Sequence, residues 1–587
     1  MNWQHATTAV VGFLIVTASW CATAAEPPAG LTVDSAMESD PTVAPPPPKI
    51  VYQKQLKPLW LKALAGPEAD LRREVAQMIS HAHRIGVPGM KETAGALIES
   101  LTADDQRSVV RLEIARTLVV LDAKEAAVPL FELLEEQGLS FAQVVEPALS
   151  AWDHKPIRNR WMARIEDTRT RRGMLQLAIR GLGRVRETKA VEPLWKLVQK
   201  RTTQASFRLD AADALGRIQD TGLVERAQML AADKTPLGNV DRLLAARLLS
   251  QHSDEATRRL LLELAVDRQP AVSAVALQRL LEINSLLVIP LTVELLKNPD
   301  ANIRMLAARA RATHAVASSV EQLEPVLNDP HPDVRRFACN TLFSFGLKAD
   351  LDAAVRKAAT LVLGGEDWRG QEQAALLMGA LDHKPSAARL AKLLDAPREE
   401  VRIAAAWALR KLAVASTLPA MLARALKVAD KRKQEFDGTH DEQLTQLMQT
   451  FGQRKYEPAL EVAWRLIPKM APFSERERVA AIWALGHIDL GGRQRELSGL
   501  LQGRLADVLT SPAEVHPVRA MSAVTLGRIK ATDAVDNLRK FYKLDSPNSE
   551  VGLACRWAIQ RITGERLPGA TVRIIEAGGW RLAPNSK

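Results

Sequence analysis

A step of one small and one large apolar residue, four positions apart, recurs along most of the chain. In the stretch from Phe207 to Ile218, Ala211 and Leu215 form one such step. Residues four apart share a helix face, so the small side chain lets another helix approach and the large one fills the adjacent space. We call the large residue of each step the anchor. Nine steps follow this pattern, and six weaker copies, among them Ala307/Arg311, complete a series of fifteen anchors at positions 79, 118, 149, 182, 215, 249, 280, 311, 342, 378, 409, 451, 485, 526 and 559.

The spacing between anchors predicts a repeating pair of helices. Successive anchors are 31 to 42 residues apart, which accommodates two helices and two turns. Residues 188–199 show the other helix of a unit, with apolar residues at helical spacing. Turn-forming residues separate the helices, as at 328–333. A unit of this size cannot bury its own apolar face, so the sequence predicts an all-α solenoid over residues 50–563.

Three anchor helices share a longer pattern, in which Val-Arg is followed by small residues and the anchor Leu. They are Asn328–Leu342 (NDPHPDVRRFACNTL), Val401–Leu409 (VRIAAAWAL) and Val518–Gly527 (VRAMSAVTLG). Ala211–Arg217 (AADALGR) shows the end of the same pattern. This pattern resembles the second helix of HEAT repeats, in particular the lyase-type HEAT-like variety, over roughly residues 55 to 563. Armadillo repeats, with three helices in about 40 residues, are the nearest alternative.

The resemblance carries expectations for fold and function. It implies a right-handed α-solenoid of about fifteen helix pairs, with the second helices lining the concave face. It also implies a scaffold function in protein binding. Because some lyase-type HEAT-like proteins attach bilin pigments, it leaves a lyase or enzyme subunit as a lesser alternative.

The N-terminal residues 1–25 indicate a secretory signal peptide. Ala6 to Trp20 is an apolar run of 15 residues, which is short for a membrane span. Ala22-Thr23-Ala24 supplies the small residues that signal peptidase needs. The segment departs from the usual pattern because no Lys or Arg precedes the apolar run. A lipid anchor at Cys21 is disfavoured by the bulky Trp20. We therefore predict cleavage and export to the periplasm or the cell exterior.

The segments that flank the repeats have a different character. Residues 26–49 contain seven prolines and few large apolar residues, which predicts a disordered tether. The repeat pattern ends at Thr563, and residues 571–576 alternate apolar and charged side chains. The tail, residues 564–587, is therefore predicted to include a short strand that covers the last helix pair. Cys339 and Cys555 lie in apolar helical patterns and are predicted to be buried free thiols.

The sequence lacks the motifs that carry common catalytic chemistry. No H-E-x-x-H, C-x-x-C-H, phosphate-binding glycine loop or G-x-S-x-G is present. We predict a non-catalytic protein with no cofactor and no metal. His440 and its acidic neighbours fall in a charged insertion, 427–441, which is interpreted as a solvated loop rather than a metal site. No run of 18 apolar residues follows residue 50, so no later transmembrane helix is expected.

Histidines cluster behind the anchors. Seven of them, His81, His83, His154, His252, His314, His383 and His487, lie two to five residues after an anchor. In one interpretation they stabilise the carbonyl ends of the second helices. In the other they form a ridge of imidazoles with a pH-dependent or metal-binding surface.

Positive charge is concentrated in one window of the chain. The net charge is +11, and residues 154–201 contribute +10 of it, with 14 Lys and Arg against four acids. This window is either a solvated face or an anion-binding patch, since arginine grips carboxylate, sulfate and phosphate through its planar fork. The candidate partner-binding residues are Arg158, Arg160, Arg164, Arg169, Arg171, Arg172, Arg180 and Arg184. We call them the arginine set.

The expected partner follows from the resemblance, the charge and the predicted export. Another protein is the first expectation. An anionic polysaccharide or a lipid head group is the alternative that the arginine set suggests. Nucleic acid, the usual partner of such a patch inside cells, is not expected for an exported protein.

Overall fold

The structure is a computed structural model that describes residues 31–43, 46–47, 49–51, 56–103, 107–432, 438–469, 474–507, 513–568, 570–572 and 574–576. Within these residues the chain forms 30 α-helices and two short strands, β1 Lys49–Val51 and β2 Ile574–Glu576. The helix pairs are α1 Leu56–Leu64 with α2 Ala69–Arg84, α3 Ala94–Thr102 with α4 Ser108–Val120, α5 Ala127–Glu132 with α6 Leu134–Ala151, α7 Pro156–Glu166 with α8 Arg172–Arg184, α9 Val191–Gln199 with α10 Ala205–Ile218, α11 Val224–Ala231 with α12 Asn239–Leu248, α13 Glu255–Ala265 with α14 Pro270–Asn284, α15 Thr292–Leu295 with α16 Ala301–Ala312, α17 Ala317–Leu323 with α18 Pro332–Gly346, α19 Asp352–Gly364 with α20 Trp368–Ala380, α21 Ala387–Leu393 with α22 Glu399–Leu412, α23 Leu418–Arg432 with α24 Asp441–Gln453, α25 Leu460–Arg465 with α26 Glu475–Leu485, α27 Gln494–Ala506 with α28 His516–Arg528, and α29 Val535–Leu544 with α30 Glu550–Thr563.

The helix order confirms the predicted all-α solenoid. Every anchor lies within, or directly after, an even-numbered helix, and an odd-numbered helix precedes each of these. The described residues thus contain fifteen pairs, each with a first helix and a second helix. The apolar cores of successive pairs join into two continuous clusters, of residues 56–310 and 308–559. Cys339 and Cys555 are buried, as predicted, and burial raises the pKa of each thiol to about 12.

The second helices form the inner face of the stack. Consecutive second helices pack more closely on one another than consecutive first helices do. Glycines allow this approach: a Cβ on Gly379 would lie 2.8 Å from the Ala408 Cα, and one on Gly527 would lie 2.6 Å from the Ala558 Cα. The stack therefore curves towards the second helices, and we call their exposed surface the inner face.

An arginine seven residues before the anchor links successive pairs. Arg304 donates from Nε and Nη2 to the two carboxylate oxygens of Asp329, at 2.6 and 2.8 Å. Its Nη1 donates to the carbonyls of Asn298 and Pro299 at 2.8 and 2.9 Å. These bonds satisfy a buried charge and close the turn between two helices. Arginines seven residues before other anchors form the ion pairs Arg208–Asp241, Arg478–Glu514 and Arg519–Asp545.

Residues 31–43 do not form the free tether that the sequence predicts. They lie along the inner face of the C-terminal repeats, where Leu31, Val33 and Met37 pack against the core of the solenoid. The prediction fails here because it considered only whether the segment could fold on its own. The solenoid supplies the apolar and cationic partners that the segment lacks. The predicted signal peptide and residues 26–30 lie outside the described residues.

The two strands join the two ends of the chain. β1 and β2 pair in parallel, with Ile50 opposite Ile575. The strand predicted in the tail is therefore paired with the N-terminal segment and not with the last helix pair. Since α1 begins five residues after Val51, covalent reach keeps its start within about 19 Å of β1. The segment before the first helix and the tail after the last helix are thus paired with each other.

The described part of the charged insertion extends regular structure. α23 continues to Arg432, residues 433–437 lie outside the described residues, and Gly438–His440 forms a helical turn that leads into α24. Within the described residues, no single helix is long and apolar enough to cross a membrane. The bent pair Pro270–Leu287 with Ile289–Leu295 is long and apolar enough only when its two helices, at 104° to each other, are taken together.

Candidate peptide-binding groove on the inner face

Residues 31–43 run along the inner face from α18 to α28, in the order of the repeats. At one end the Leu31 amide donates to the side-chain oxygen of Asn340, at 3.0 Å. In the middle the Ala36 amide donates to the side-chain oxygen of Gln449, at 2.6 Å. We call the surface beneath the segment the inner groove. Its polar contacts come from Asn340, Trp407, Arg410, Lys411, Gln446, Gln449, Trp483, His487 and Arg528.

The first acidic residue of the segment, Asp34, is held by α22. Trp407 Nε1 donates to Asp34 Oδ1 at 2.6 Å, and Lys411 Nζ donates to Asp34 Oδ2 at 3.1 Å. Arg410 contacts the same carboxylate and donates to the Asp34 carbonyl at 2.8 Å. Gln446 fixes Arg410 by accepting from its Nε at 2.8 Å, and donates to the Asp34 carbonyl at 3.2 Å. Trp407, Arg410 and Lys411 therefore contact the side chain of Asp34, and Arg410 also contacts its backbone carbonyl.

The second acidic residue, Asp40, meets a similar set of side chains on α26 and α28. Trp483 Nε1 donates to the Asp40 carbonyl at 2.9 Å. Arg528 Nη2 donates to Asp40 Oδ1 at 2.7 Å, and His487 Nε2 lies 2.9 Å from Asp40 Oδ2. The His487 ring also lies against Trp483, with centroids 4.0 Å apart. Tryptophan, arginine and a further basic side chain thus recur two to three helix pairs later.

The charges in the groove favour an ionised carboxylate. Partial burial acts to raise the pKa of Asp34, but the bonds from Trp407 and Lys411 and the charge of Arg410 outweigh it and lower the pKa. Burial lowers the pKa of Arg528; Asp40 opposes this effect, and the charge of Arg561 adds to it. Burial and the charge of Arg528 also lower the pKa of His487, whereas its hydrogen bonds to the Trp483 carbonyl and to Asp40 act to raise it.

The repeat itself positions the two tryptophans. Trp407 and Trp483 each lie two residues before an anchor, in the sequence Trp-Ala-Leu. The preceding second helix has a glycine opposite each ring: a Cβ on Gly379 would lie 2.9 Å from Trp407, and one on Gly452 would lie 2.6 Å from Trp483. The glycine leaves room for the ring against the preceding helix, and the ring N–H is directed to the groove.

The structure divides the arginine set between two helices and the turn that joins them. Arg158, Arg160 and Arg164 belong to α7, a first helix, whereas Arg172, Arg180 and Arg184 belong to α8, a second helix. Five members form ion pairs with carboxylates of this chain. These pairs are Arg158 with Asp153 and Glu187, Arg160 with Glu135, Arg164 with Glu146, Arg169 with Asp167, and Arg180 with Asp210. Much of the predicted positive patch is therefore neutralised locally.

The other three members differ from these five. Among the described residues, Arg171, Arg172 and Arg184 have no carboxylate within 4.0 Å, and all three are exposed. Arg180 and Arg184 lie two residues before and two after the anchor Leu182, the positions that Trp407 and Lys411 occupy around Leu409. The proposal that the set binds an anion stays a prediction.

The histidines behind the anchors have different surroundings in the structure. The His487 ring lies 2.8 Å from the Trp483 carbonyl near the end of α26, which agrees with a helix-end role at this position. His383 bonds to Ser386 and His154 lies against Phe131. In the described ranges, no three His, Cys, Asp or Glu side chains are grouped so as to hold a metal ion.

The inner groove was not identified from the sequence. A usable signal lies two residues before the anchors, where the C-terminal repeats have Asn340, Trp407, Gln449 and Trp483. The residues next to this position in the pattern are small or aliphatic. The core therefore does not need an aromatic ring or an amide two residues before the anchor. Alignment of the units on their anchors therefore exposes a row of residues with another purpose.

Comparison with known proteins agrees with the repeat architecture. The HEAT-repeat family profile matches residues 289–360. No curated protein matches the sequence. The fold is similar to that of Kap95p in its complex with Nup1, with a TM-score of 0.51, 14% identity, and coverage of 87% of this chain and 72% of that one. Yeast importin-beta (Kap95p) by itself is similar with a TM-score of 0.50, 12% identity and the same coverage.

These similarities, together with the helix pairs and the Val-Arg pattern, agree on one architecture. At this level of identity the solved structures establish the fold and nothing further. The chain therefore has the fold of a HEAT-type helical solenoid, and its residues 289–360 match the HEAT-repeat family profile.

Proposed function

We propose that this protein is a non-catalytic scaffold that binds another protein on its inner face. One observation carries the proposal: the inner groove holds an extended polypeptide segment through side chains that the repeat fold does not use. Tryptophan and arginine, which contact both acidic residues, are the side chains that dominate protein–protein binding energy. A HEAT solenoid presents them on a long continuous surface.

Two further considerations support a protein partner. Kap95p, which shares the fold, is complexed with RanGDP in one solved structure and with Nup1 in another. In addition, the groove bonds to backbone amides and carbonyls at Leu31, Asp34, Ala36 and Asp40. A polypeptide offers these groups at regular intervals, whereas a polysaccharide or a lipid head group does not. We place the scaffold in the periplasm or outside the cell, as the predicted signal peptide implies.

Affinity capture from the envelope fraction tests the proposal. The bait is the chain from residue 26 onward, beside the variant K411E/R528E, which reverses two cations of the inner groove. We expect a set of captured proteins that the variant loses. The matched control is K357E/K392E, which makes the same change in charge at exposed lysines of the first helices α19 and α21. Equal recovery by all three baits would contradict binding in the groove.

Anion binding by the arginine set is a second candidate function. It is favoured by the exposed Arg171, Arg172 and Arg184, for which the described residues provide no carboxylate within 4.0 Å. If these residues grip a sulfated or phosphorylated partner, retention on heparin should fall steeply as salt rises, because screening shortens the range of the interaction. R171E/R172E/R184E should then abolish retention with helicity unchanged. Unchanged retention would reject this candidate.

A further inference from the structure

We propose that the inner groove recognises an extended acidic segment of a partner protein, with two carboxylates six residues apart, and that residues 31–43 occupy this site until such a partner displaces them. The proposal rests on the protein-binding role proposed above and specifies the chemistry of the partner. It also makes the N-terminal segment an intramolecular competitor.

The two carboxylate sites have the same design. In each, a tryptophan N–H and an arginine contact one aspartate and its backbone carbonyl, and a second basic side chain contacts the other carboxylate oxygen. Between them Gln449 accepts from the Ala36 amide, a group that every residue except proline offers. Glu38 and Ser39 are exposed. The groove therefore specifies acids at two positions and is tolerant of the residues between them.

The cations of the groove are more buried than the carboxylates that they bind. The side chains of Arg410 and Arg528 are 4% and 14% exposed, whereas those of Asp34 and Asp40 are 51% and 48% exposed. Within the described residues, Asp34 and Asp40 are the carboxylates within 4.0 Å of these two arginines. A guanidinium group that is shielded from solvent needs a carboxylate partner. An occupant that covers these guanidinium groups as residues 31–43 do must therefore supply carboxylates, and a half-exposed carboxylate can be replaced by another of the same geometry.

The segment is an addition to the solenoid and not part of its core. The fifteen helix pairs bury continuous clusters of their own, and the apolar residues of the segment, among them Leu31, Val33 and Met37, are only partly buried against them. Its removal would uncover a groove without opening a helix pair. Because it belongs to the same chain, it competes at a high effective concentration, of millimolar order for a short tether. If the state with the segment docked were favoured tenfold over the undocked state, the apparent affinity of the groove for a free competing peptide would fall about elevenfold.

Binding of a labelled peptide to the whole chain tests this inference. The probe is a synthetic peptide of residues 30–43, measured by fluorescence anisotropy against the chain from residue 26 onward. The variant D34N/D40N weakens the resident segment and leaves every groove residue in place. We expect this variant to bind the peptide on the order of tenfold more tightly than the unaltered chain. E38Q, the matched control at the exposed acid of the segment, should bind as the unaltered chain does.

Two further probes test the chemistry. A peptide with Asn at both aspartate positions should not bind D34N/D40N, and a peptide lengthened by two residues between the aspartates should bind more weakly than the parent. If these peptides bind as well as the parent, the groove does not select paired carboxylates. Light scattering should show a monomer for the unaltered chain; a dimer that D34N/D40N dissociates would mean that the segment docks on a second copy.

The outcomes separate this inference from the proposed function. Equal affinity of the unaltered chain and D34N/D40N for the peptide would overturn displacement of the segment and leave groove binding intact. Failure of a helical D34N/D40N variant to bind the parent peptide would overturn recognition of acidic segments. Loss of captured proteins in K411E/R528E would still support the scaffold role in that case.

Discussion

Arg410 and Asp34 are 376 residues apart in the sequence and form an ion pair in which the arginine side chain is 4% exposed. The arginine belongs to α22, in the eleventh helix pair, and the aspartate precedes the first helix of the solenoid. This contact places the N-terminal segment on the inner face of the solenoid. It also determines how the protein should respond to pH and to mutation.

Acidification should release the N-terminal segment. The pKa of Asp34 is lowered in the docked state from an ordinary value of 3.8, so its contribution to docking is complete above that value. The contribution is lost as the pH falls through the lowered pKa, since protonation removes the charge that Arg410 and Lys411 bind. A fluorophore placed at the exposed Thr32 should gain mobility below about pH 4.

A matched variant checks the assignment of this transition. In D34N the mobility of the fluorophore should be high already at neutral pH and should change little between pH 6 and pH 3. An equal acid transition in the variant would show that another group controls release.

Removal of a buried acid between two helix pairs should be strongly destabilising. Asp329→Ala leaves the buried guanidinium of Arg304 without its carboxylate, which we expect to cost about 3–5 kcal/mol. Hydrogen exchange should accelerate around α16 and α18 before more distant repeats, because a solenoid is stabilised by local and neighbour contacts. The control Asp333→Ala, at an exposed residue of α18, should lie within about 0.5 kcal/mol of the parent. A similar loss of stability in Asp329→Ala and Asp333→Ala would argue against a stabilising role for the buried ion pair.

Enlargement of a small residue at a helix crossing should damage the solenoid locally. Ala405 is fully buried four residues before its anchor, so Ala405→Leu should cost about 1–3 kcal/mol through overpacking. Thermal unfolding measures the loss, and hydrogen exchange shows where it falls. Ala353→Leu, at an exposed position of the first helix α19, provides the control. Damage spread evenly over all repeats would contradict the nearest-neighbour picture.

The strand pair should allow the chain ends to be crosslinked. Ile50 and Ile575 are opposite each other in the parallel pair of β1 and β2, so I50C/I575C should join under mild oxidation. The resident Cys339 and Cys555 should not interfere, because they are buried and burial raises the pKa of each thiol to about 12. A protease cut between repeats followed by non-reducing electrophoresis reports the link. I50C paired with E550C, at the start of α30, is the control.

The periodic part of the structure could be predicted from the sequence. Helix formation and the packing of a helix on its neighbour depend on residues within one repeat length, so the steps at Ala211 and Leu215 or at Ala405 and Leu409 indicate helix pairs directly. Burial of Cys339 and Cys555 followed from the same periodicity. These features are local, and every unit repeats the evidence.

The site and the ends of the chain depended on tertiary structure. Residues 26–49 have a composition typical of disorder, and nothing near Asp34 or Asp40 indicates that Arg410 and Arg528 will lie beside them. The arginine set shows the converse: counting charges along the chain suggested a free positive patch, but Glu146 and Asp210 neutralise Arg164 and Arg180 across neighbouring helices. The sequence by itself determined the repeated helix pairs, because their contacts are close in the chain. Only the tertiary structure decided which distant side chains meet in the groove, because the N-terminal segment docks on repeats hundreds of positions away and no local pattern in the chain specifies that contact.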